Sequence, residues 1–360
     1  LKKPLVSPNI QRFTEKYFAA IKGLIPSKVV IPAVGLDIGE GSCKMVELEK
    51  SGDTFEILNW AVEPIENNDV AGAIRKIFTE KNIQSRSPYT AVLGKGTLIR
   101  YIDMPRMPLE DLRKSFELEA DKYFPFPADQ IYTDCYILDP KGKEKKMSVL
   151  VAAAKKEIVN ERIELFSKLD LQTGFIGINP IAIANVFHIL GTTQGTSVPG
   201  VSAVLDMGAT VSNLIIMSDS LPRFTRDIYI GGEEFNKRIS NVMGVGTSEA
   251  EKIKRNPGKK LEEILSACDS VLTHLISEIR LSFDYFITER NVSVSKLYLT
   301  GGASSLQGLP EFFTKNLDIP VEQWNPLEAF RLAEGISPEA IQKDVCRLGV
   351  ALGLALYQYD

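Results

Sequence analysis

Histidine is nearly absent from this 360-residue chain: only His188 and His274 occur, both in helix-like sequence. A Ser-His-Asp nucleophile or a His-rich metal site therefore has little support. The four cysteines, Cys43, Cys135, Cys268 and Cys346, are scattered singly, without CxxC pairs or metal-ligand spacing. That argues against a zinc site and fits free thiols in a reducing cytoplasm. No apolar run approaches the roughly 20 residues needed to span a bilayer, and no signal-peptide core lies near the start. An excess of positive charge is also lacking. The formal net charge of −4 supplies no electrostatic pull toward nucleic acid, so no nucleic-acid partner is expected. The length allows two or three domains of ordinary globular composition.

Charge is uneven all the same. Residues 1–32 carry Lys2, Lys3, Arg12, Lys16, Lys22 and Lys28 against Glu15 alone, and Phe13, Tyr17, Phe18, Ile21, Leu24 and Ile25 recur at helical spacing. This predicts a basic amphipathic helix, suited to an anionic membrane surface, to a partner, or to packing back on its own globule.

The most informative feature is a repeated turn. Asp37-Ile38-Gly39-Glu40-Gly41-Ser42-Cys43-Lys44 and Asp206-Met207-Gly208-Ala209-Thr210 each follow an apolar run that reads as a buried strand, and each precedes a second strand. Glycines in such a hairpin let successive backbone N–H groups approach phosphate oxygens, while each Asp can hold Mg²⁺, directly or through water. Lys44 returns toward the phosphates as a cation. One Asp-x-Gly turn is ordinary hairpin chemistry; two, placed alike, predict a paired phosphate clamp. A third element fits it: the strand Lys296-Leu297-Tyr298-Leu299-Thr300 runs into Gly301-Gly302-Ala303, where bare backbone can face a flat ring such as adenine.

With these motifs the chain resembles the actin-like ATPase superfamily, an α/β fold of two lobes around a nucleotide cleft. The resemblance extends to Ile178-Asn179-Pro180-Ile181-Ala182 and Leu348-Gly349-Val350-Ala351-Leu352-Gly353, which look like the two small-residue helices that cross between the lobes. Gly231-Gly232 looks like the double-glycine turn after the second hairpin, and Ala250-Glu251-Lys252-Ile253-Lys254 is similar to a segment whose Glu and Lys reach the ribose. The resemblance thus implies ATP or ADP with Mg as ligand. Between residues 87 and 175 it narrows to one branch. Ile102–Leu112 and the segment ending in Tyr123-Phe124-Pro125-Phe126-Pro127 resemble the PilM pattern, in which an extra subdomain termed 1C, shared with FtsA, is inserted into lobe one.

The expected organisation is the N-terminal segment 1–32, lobe one over 33–86, the 1C-like insertion over 87–175, a connecting helix and linker over 176–200, lobe two over 201–345, and a second connecting helix returning to lobe one over 346–360. What the PilM resemblance implies is a cytoplasmic ATP-binding scaffold of type IV pilus assembly, peripheral at the inner membrane. Its partner would be the cytoplasmic N-terminal tail of a PilN-like membrane protein, with pilus motor ATPases and self-association as further associations. Phe124 and Phe126, held between prolines, are candidates for the partner groove or, equally, for the core of the insertion. No catalytic base is assigned: hydrolysing relatives commonly have Glu where this chain has Asn179, and an amide can hold a water without taking its proton, so turnover is expected to be slow. The alternatives are an FtsA-like membrane-associated filament protein and an active phosphotransferase.

Overall fold

In a computed structural model, which describes residues 31–142, 144–193 and 200–359, the apolar run Ala33–Ile38 (β1) is a strand buried along nearly its whole length. It continues through the first glycine hairpin into β2 (Ser42–Ser51) and then β3 (Thr54–Pro64), which makes the expected antiparallel meander. Helix α1 (Val70–Glu80) begins where the Asp69 carboxylate accepts a hydrogen bond from Gly72 N at 2.8 Å, filling one of the vacant donors of its first turn. Its buried Ala73, Ile74, Ile77 and Phe78 pack with Val34, Leu36, Cys43 and Met45 in the core of lobe one. Strand β4 (Tyr89–Val92) then pairs parallel to β1. The predicted amphipathic segment and residues 194–199 of the predicted linker lie outside the described residues.

The insertion is a separate three-stranded sheet, β5 (Thr97–Pro105), β6 (Ile131–Ile137) and β7 (Lys146–Lys155), in the order β5-β7-β6. Helix α2 (Leu109–Tyr123) covers one face and buries Leu112, Phe116 and Ala120 against Ile131, Cys135, Met147, Val149 and Val151. Two boundaries expected from sequence move. Strand β4 belongs to the lobe-one sheet, and α3 (Lys156–Ser167) sends Phe166 into the lobe-one core, so the sheet of the insertion occupies Thr97–Lys155 rather than all of 87–175.

Strand β8 (Phe175–Ile178) rejoins lobe one parallel to β4 and passes into α4 (Asn179–Thr193). Lobe two follows as β9 (Val201–Met207), β10 (Ser212–Ser218), β11 (Leu221–Ile228), α5 (Gly232–Met243), α6 (Thr247–Arg255), α7 (Leu261–Arg290), β12 (Val294–Thr300), α8 (Leu309–Leu317) and β13 (Val321–Gln323). The chain then returns to lobe one earlier than expected. β14 (Phe330–Leu332) pairs with β3, ahead of α9 (Pro338–Gln342) and α10 (Gly349–Leu356), so lobe two ends well before residue 345.

The sheets are ordered β14-β3-β2-β1-β4-β8 and β11-β10-β9-β12-β13. Leaving out the edge strand β14, the two share one topology: a meander whose first strand pairs parallel with a fourth and the fourth with a fifth. The repeated hairpin seen in the sequence is thus part of a repeated lobe. Where α10 crosses α4, a side chain on Gly353 would overlap the Ala182 carbonyl. This contact requires bare backbone.

Phe124 is the last buried ring of the insertion core, 4% exposed, and its amide caps α2 on the Ala120 carbonyl. Phe126 is half-buried with the Lys155 ammonium 5.3 Å from its ring centre. Phe124→Ala should therefore cost about 3–5 kcal/mol of stability, whereas Phe126→Ala gives up a partly exposed ring and a cation contact worth about 0.5–1 kcal/mol. Thermal melts of the two variants test this ranking; equal losses would contradict it.

Candidate functional site

Each glycine hairpin closes with the same bond, Gly39 N to Ser42 O at 3.2 Å and Gly208 N to Val211 O at 3.0 Å. Across the two ladders Asp37 faces Lys44 and Asp206 faces Asn213, so the lobes present matching pairs to one cleft. Lys44 Nζ lies 3.0 Å from Asp37 Oδ2. Asn213, 1% exposed, donates to Asp227 at 2.7 Å. The double-glycine turn is bonded onto the second hairpin, with Gly232 N on Gly208 O at 2.9 Å and Glu233 N on Ala209 O at 2.8 Å.

The cleft encloses about 300 Å³. It brings together Asp37, Gly39, Glu40, Gly41, Ser42, Lys44, Asp206, Gly208, Ala209, Thr210, Gly232, Glu251, Lys254, Gly301, Gly302 and Ala303. Two predicted residues stay outside. Cys43 sits between Ser42 and Lys44 on a strand, so its side chain points to the opposite face, into the lobe-one core. Burial, and then the Asp37 charge, push its thiol up to about 12. Gly231 acts one step back: its bare Cα lets the turn lie against the Ala209 carbonyl. Gly301 takes φ +86°, and a side chain there would overlap Asp206 and the Met207 backbone.

Sequence reasoning missed Asn213, Asn236 and Arg347, and did not connect Arg255 to the cleft. In the cleft Glu251 is held by Lys254 at 2.5 Å, by Arg255 at 2.7 Å and by the Asn236 amide at 2.8 Å. Burial alone would raise the Glu251 carboxyl, but the Lys254 charge and these hydrogen bonds outweigh it and bring it down to about 2. Lys254, 3% exposed, also donates to Gly232 O at 3.2 Å, which ties this helix to the glycine turn.

The residues present fit a nucleotide with its metal. Asn236 Oδ1 is buried in the cleft wall without a donor, an acceptor that a ribose hydroxyl would satisfy. Asp206 is pushed up to about 7 by burial and then by the charge of Asp37, against the opposing pull of Lys44. A dication or a phosphate-bound cation would relieve that strain. Among the described residues no cluster of three or more His, Cys, Asp or Glu could hold a metal alone. Mg²⁺ would therefore take most of its oxygens from phosphate and water, with Asp37 and Asp206 flanking it. Asn179, 7% exposed, stands in the cleft at the start of α4, where it could hold a water.

A second, larger concavity of about 900 Å³ lies between the insertion, lobe one and the β10–β11 turn of lobe two. Tyr132 to Tyr136 of β6 and Phe175 to Ile178 of β8 line it as unbroken runs, so both strands turn an edge to it rather than a face. Each is the last strand of its sheet. The remaining wall is largely apolar, with Ile181, Ala184 and Ile189 of α4, Leu221 and Pro222 of the turn, and Tyr357 packed at a tilt on Phe175 with ring centres 4.4 Å apart. Asn185 Nδ2, on the same wall, is buried with no acceptor. Neither Phe124 nor Phe126 lines this groove. The pairing of prolines with aromatics does not reveal which way a ring faces, and the core of the insertion took Phe124.

The raised Asp206 carboxyl has a pH signature. The folded protein keeps a proton that the unfolded chain releases from about pH 3.8 upward, so stability falls as pH rises toward about 7. Asp206→Asn should remove that loss. In nucleotide-free protein the variant should be the more stable at pH 8, by roughly 2–4 kcal/mol, and match the wild type at pH 4; an equal offset at both pH values would contradict the assignment.

Comparison with known proteins agrees with this architecture. The family described as type IV pilus assembly protein PilM matches residues 35–359. The structure of a PilM-PilN type IV pilus biogenesis complex superimposes with a TM-score of 0.81 at 27% identity, covering 91% of this chain and 98% of the other. The ethanolamine utilization protein EutJ from Carboxydothermus hydrogenoformans, at TM-score 0.52 and 15% identity over 91% of this chain and 89% of its own, shares the fold. The cell division protein FtsA of Bacillus subtilis (strain 168) is 23% identical over 260 residues, 62% of this chain but only 58% of the length of that relative. By fold and by sequence, this chain belongs to the PilM family of type IV pilus assembly proteins.

Proposed function

We propose that this chain is an ATP-binding scaffold of type IV pilus assembly, and that its groove receives the cytoplasmic N-terminal tail of a PilN-like inner-membrane protein. The observation that carries this reading is the pair of open strand edges, β6 and β8, facing one apolar groove with an orphaned amide in its wall. An extended peptide can add to such an edge by main-chain hydrogen bonds and seat alternate side chains in the pockets beside it. Its backbone carbonyls are the acceptors that Asn185 lacks. Tyr132 and Tyr136, 48% and 59% exposed, supply amphipathic rings at the rim. The solved PilM-PilN complex supports a partner of this kind.

In the cleft, Mg-ATP or Mg-ADP would sit between the hairpins of Asp37 and Asp206, its ribose at Glu251, Asn236 and Lys254 and its ring beside Gly301, Gly302 and Ala303. Bound nucleotide touches both lobes and so biases their closure. Three elements extend from cleft to groove. α4 has Asn179 in the one and Asn185 and Ile189 in the other; β10 runs from Asn213 toward the Ser220–Pro222 wall; α10 runs from Gly349 to Leu356. Nucleotide state would thereby reach the tail, and through it the pilus motor ATPases. Among the described residues no helix is long and apolar enough to cross a membrane. Attachment at the inner membrane would come from the tail and from residues 1–32.

Replacing Asn185 with the isosteric Leu should weaken binding of the tail peptide about tenfold, as loss of a buried hydrogen bond does, and should leave the melt of the free protein unchanged or higher because the orphaned donor is gone. Calorimetric titration of the peptide decides it, and unchanged affinity would remove Asn185 from the groove. Turnover of ATP by protein free of contaminating ATPase should lie below the ~1 s⁻¹ lower range of ordinary enzymes, since Asn179 cannot accept the proton of the attacking water; a faster rate would show that another group does so.

A further inference from the structure

One of the cations lining the cleft reaches the first glycine hairpin from a distant part of the chain. Arg347 precedes α10, far from either motif in the chain, yet its Nη2 donates to Ser42 Oγ in the first hairpin at 3.0 Å. Its Nη1 is held by Asp344 Oδ1 at 2.8 Å. The guanidinium Nε lies 3.9 Å from the position a side chain on Gly302 would start from, so it stands beside the bare glycine platform of lobe two. The backbone that carries it is fixed as well. Cys346 O accepts from Gly301 N at 2.7 Å and from Thr300 Oγ1 at 2.9 Å, and Arg347 N donates to Asp344 O at 2.8 Å.

Among the cations of the cleft, Lys44 is paired with Asp37, and Lys254 and Arg255 share Glu251. Arg347 is paired too, but a guanidinium has five N–H donors in a rigid fork. Asp344 and Ser42 engage two of them, which sets the plane of the group and leaves the remaining edge along the cleft it lines. Its side chain is 15% exposed, so a ligand oxygen there would meet a preoriented and largely desolvated donor.

We infer that Arg347 is a phosphate-contacting residue, donating to the phosphate chain of a bound nucleoside di- or triphosphate where the chain passes between the Ser42 hairpin and the Gly302 platform. This rests on the nucleotide reading of the cleft and adds a residue to it. Because Arg347 touches Ser42 of lobe one while Cys346 anchors it to the end of β12 in lobe two, the contact also registers both lobes at once. Its selectivity would be for phosphate and indifferent to the base.

The test compares ADP and adenosine on the full chain, by competition against a fluorescent ATP analogue, for the wild type, Arg347→Met and Arg347→Lys. Met keeps the apolar stem and loses the donors. The expected result is about a tenfold or greater loss of ADP affinity in Arg347→Met, a smaller loss in Arg347→Lys, and adenosine affinity unchanged in both. Equal losses for ADP and adenosine would overturn the inference in favour of packing or a base contact, and the ratio within one variant is unaffected by a general loss of fold. Unchanged ADP affinity in both variants would overturn it outright. Failure of wild-type protein to bind the ATP analogue would instead overturn the nucleotide reading of the cleft.

Discussion

The closeness of α10 to its neighbours is the constraint on which the site depends. Gly353 lies against the Ala182 carbonyl of α4, and Gly35 of β1 lies against the Ala351 carbonyl, so two helices and a strand meet through bare backbone. A methyl group at either glycine would push these elements apart. The apolar surface buried around them, from Ala182 and Val186 to Leu348, Leu352 and Leu356, makes such a separation costly. The same packing holds the start of α4 and the start of α10 at the cleft, and their opposite ends at the groove. The proposed scaffold, joining a nucleotide to a membrane partner, would need such rigid elements.

The cleft itself stores electrostatic strain. Asp37 and Asp206 come from equivalent hairpins and line one cleft, but Lys44 is ion-paired with Asp37, while the counterpart of Lys44 in lobe two is neutral Asn213. Asp206 is raised by burial and by a like charge, with only a lesser pull from Lys44 to offset them. That asymmetry makes the cleft receptive to a cation bound on phosphate, and it suits the proposed role of holding nucleotide rather than turning it over quickly.

Much of this was legible in the sequence because backbone geometry leaves a direct trace: Gly208, Gly231 and Gly301 stand where a side chain would run into neighbouring backbone, and the small-residue runs around Ala182 and Gly353 announce a close crossing. What escaped depends on register or on distant segments. Asn213 is recognisable only once β9 and β10 are paired, Asn236 only when the face of α5 is known, and Arg347 only when the chain has folded back onto Ser42. Cys43 shows the converse error, since its place between Ser42 and Lys44 on a strand already implies the opposite face. The Pro-Phe-Pro segment was informative about family but not about which ring is buried, and the groove that carries the functional reading is built from the edges of β6 and β8, which no local pattern marks.

The central claim is that nucleotide and partner tail bind to one coupled body. It is tested most directly by titrating a peptide with the sequence of the cognate tail into the protein, first nucleotide-free and then saturated with Mg-ATP. The account predicts that ATP changes the affinity for the peptide, and that the peptide changes the affinity for ATP by the same factor, as linkage requires. Identical peptide affinity in the two states would contradict it.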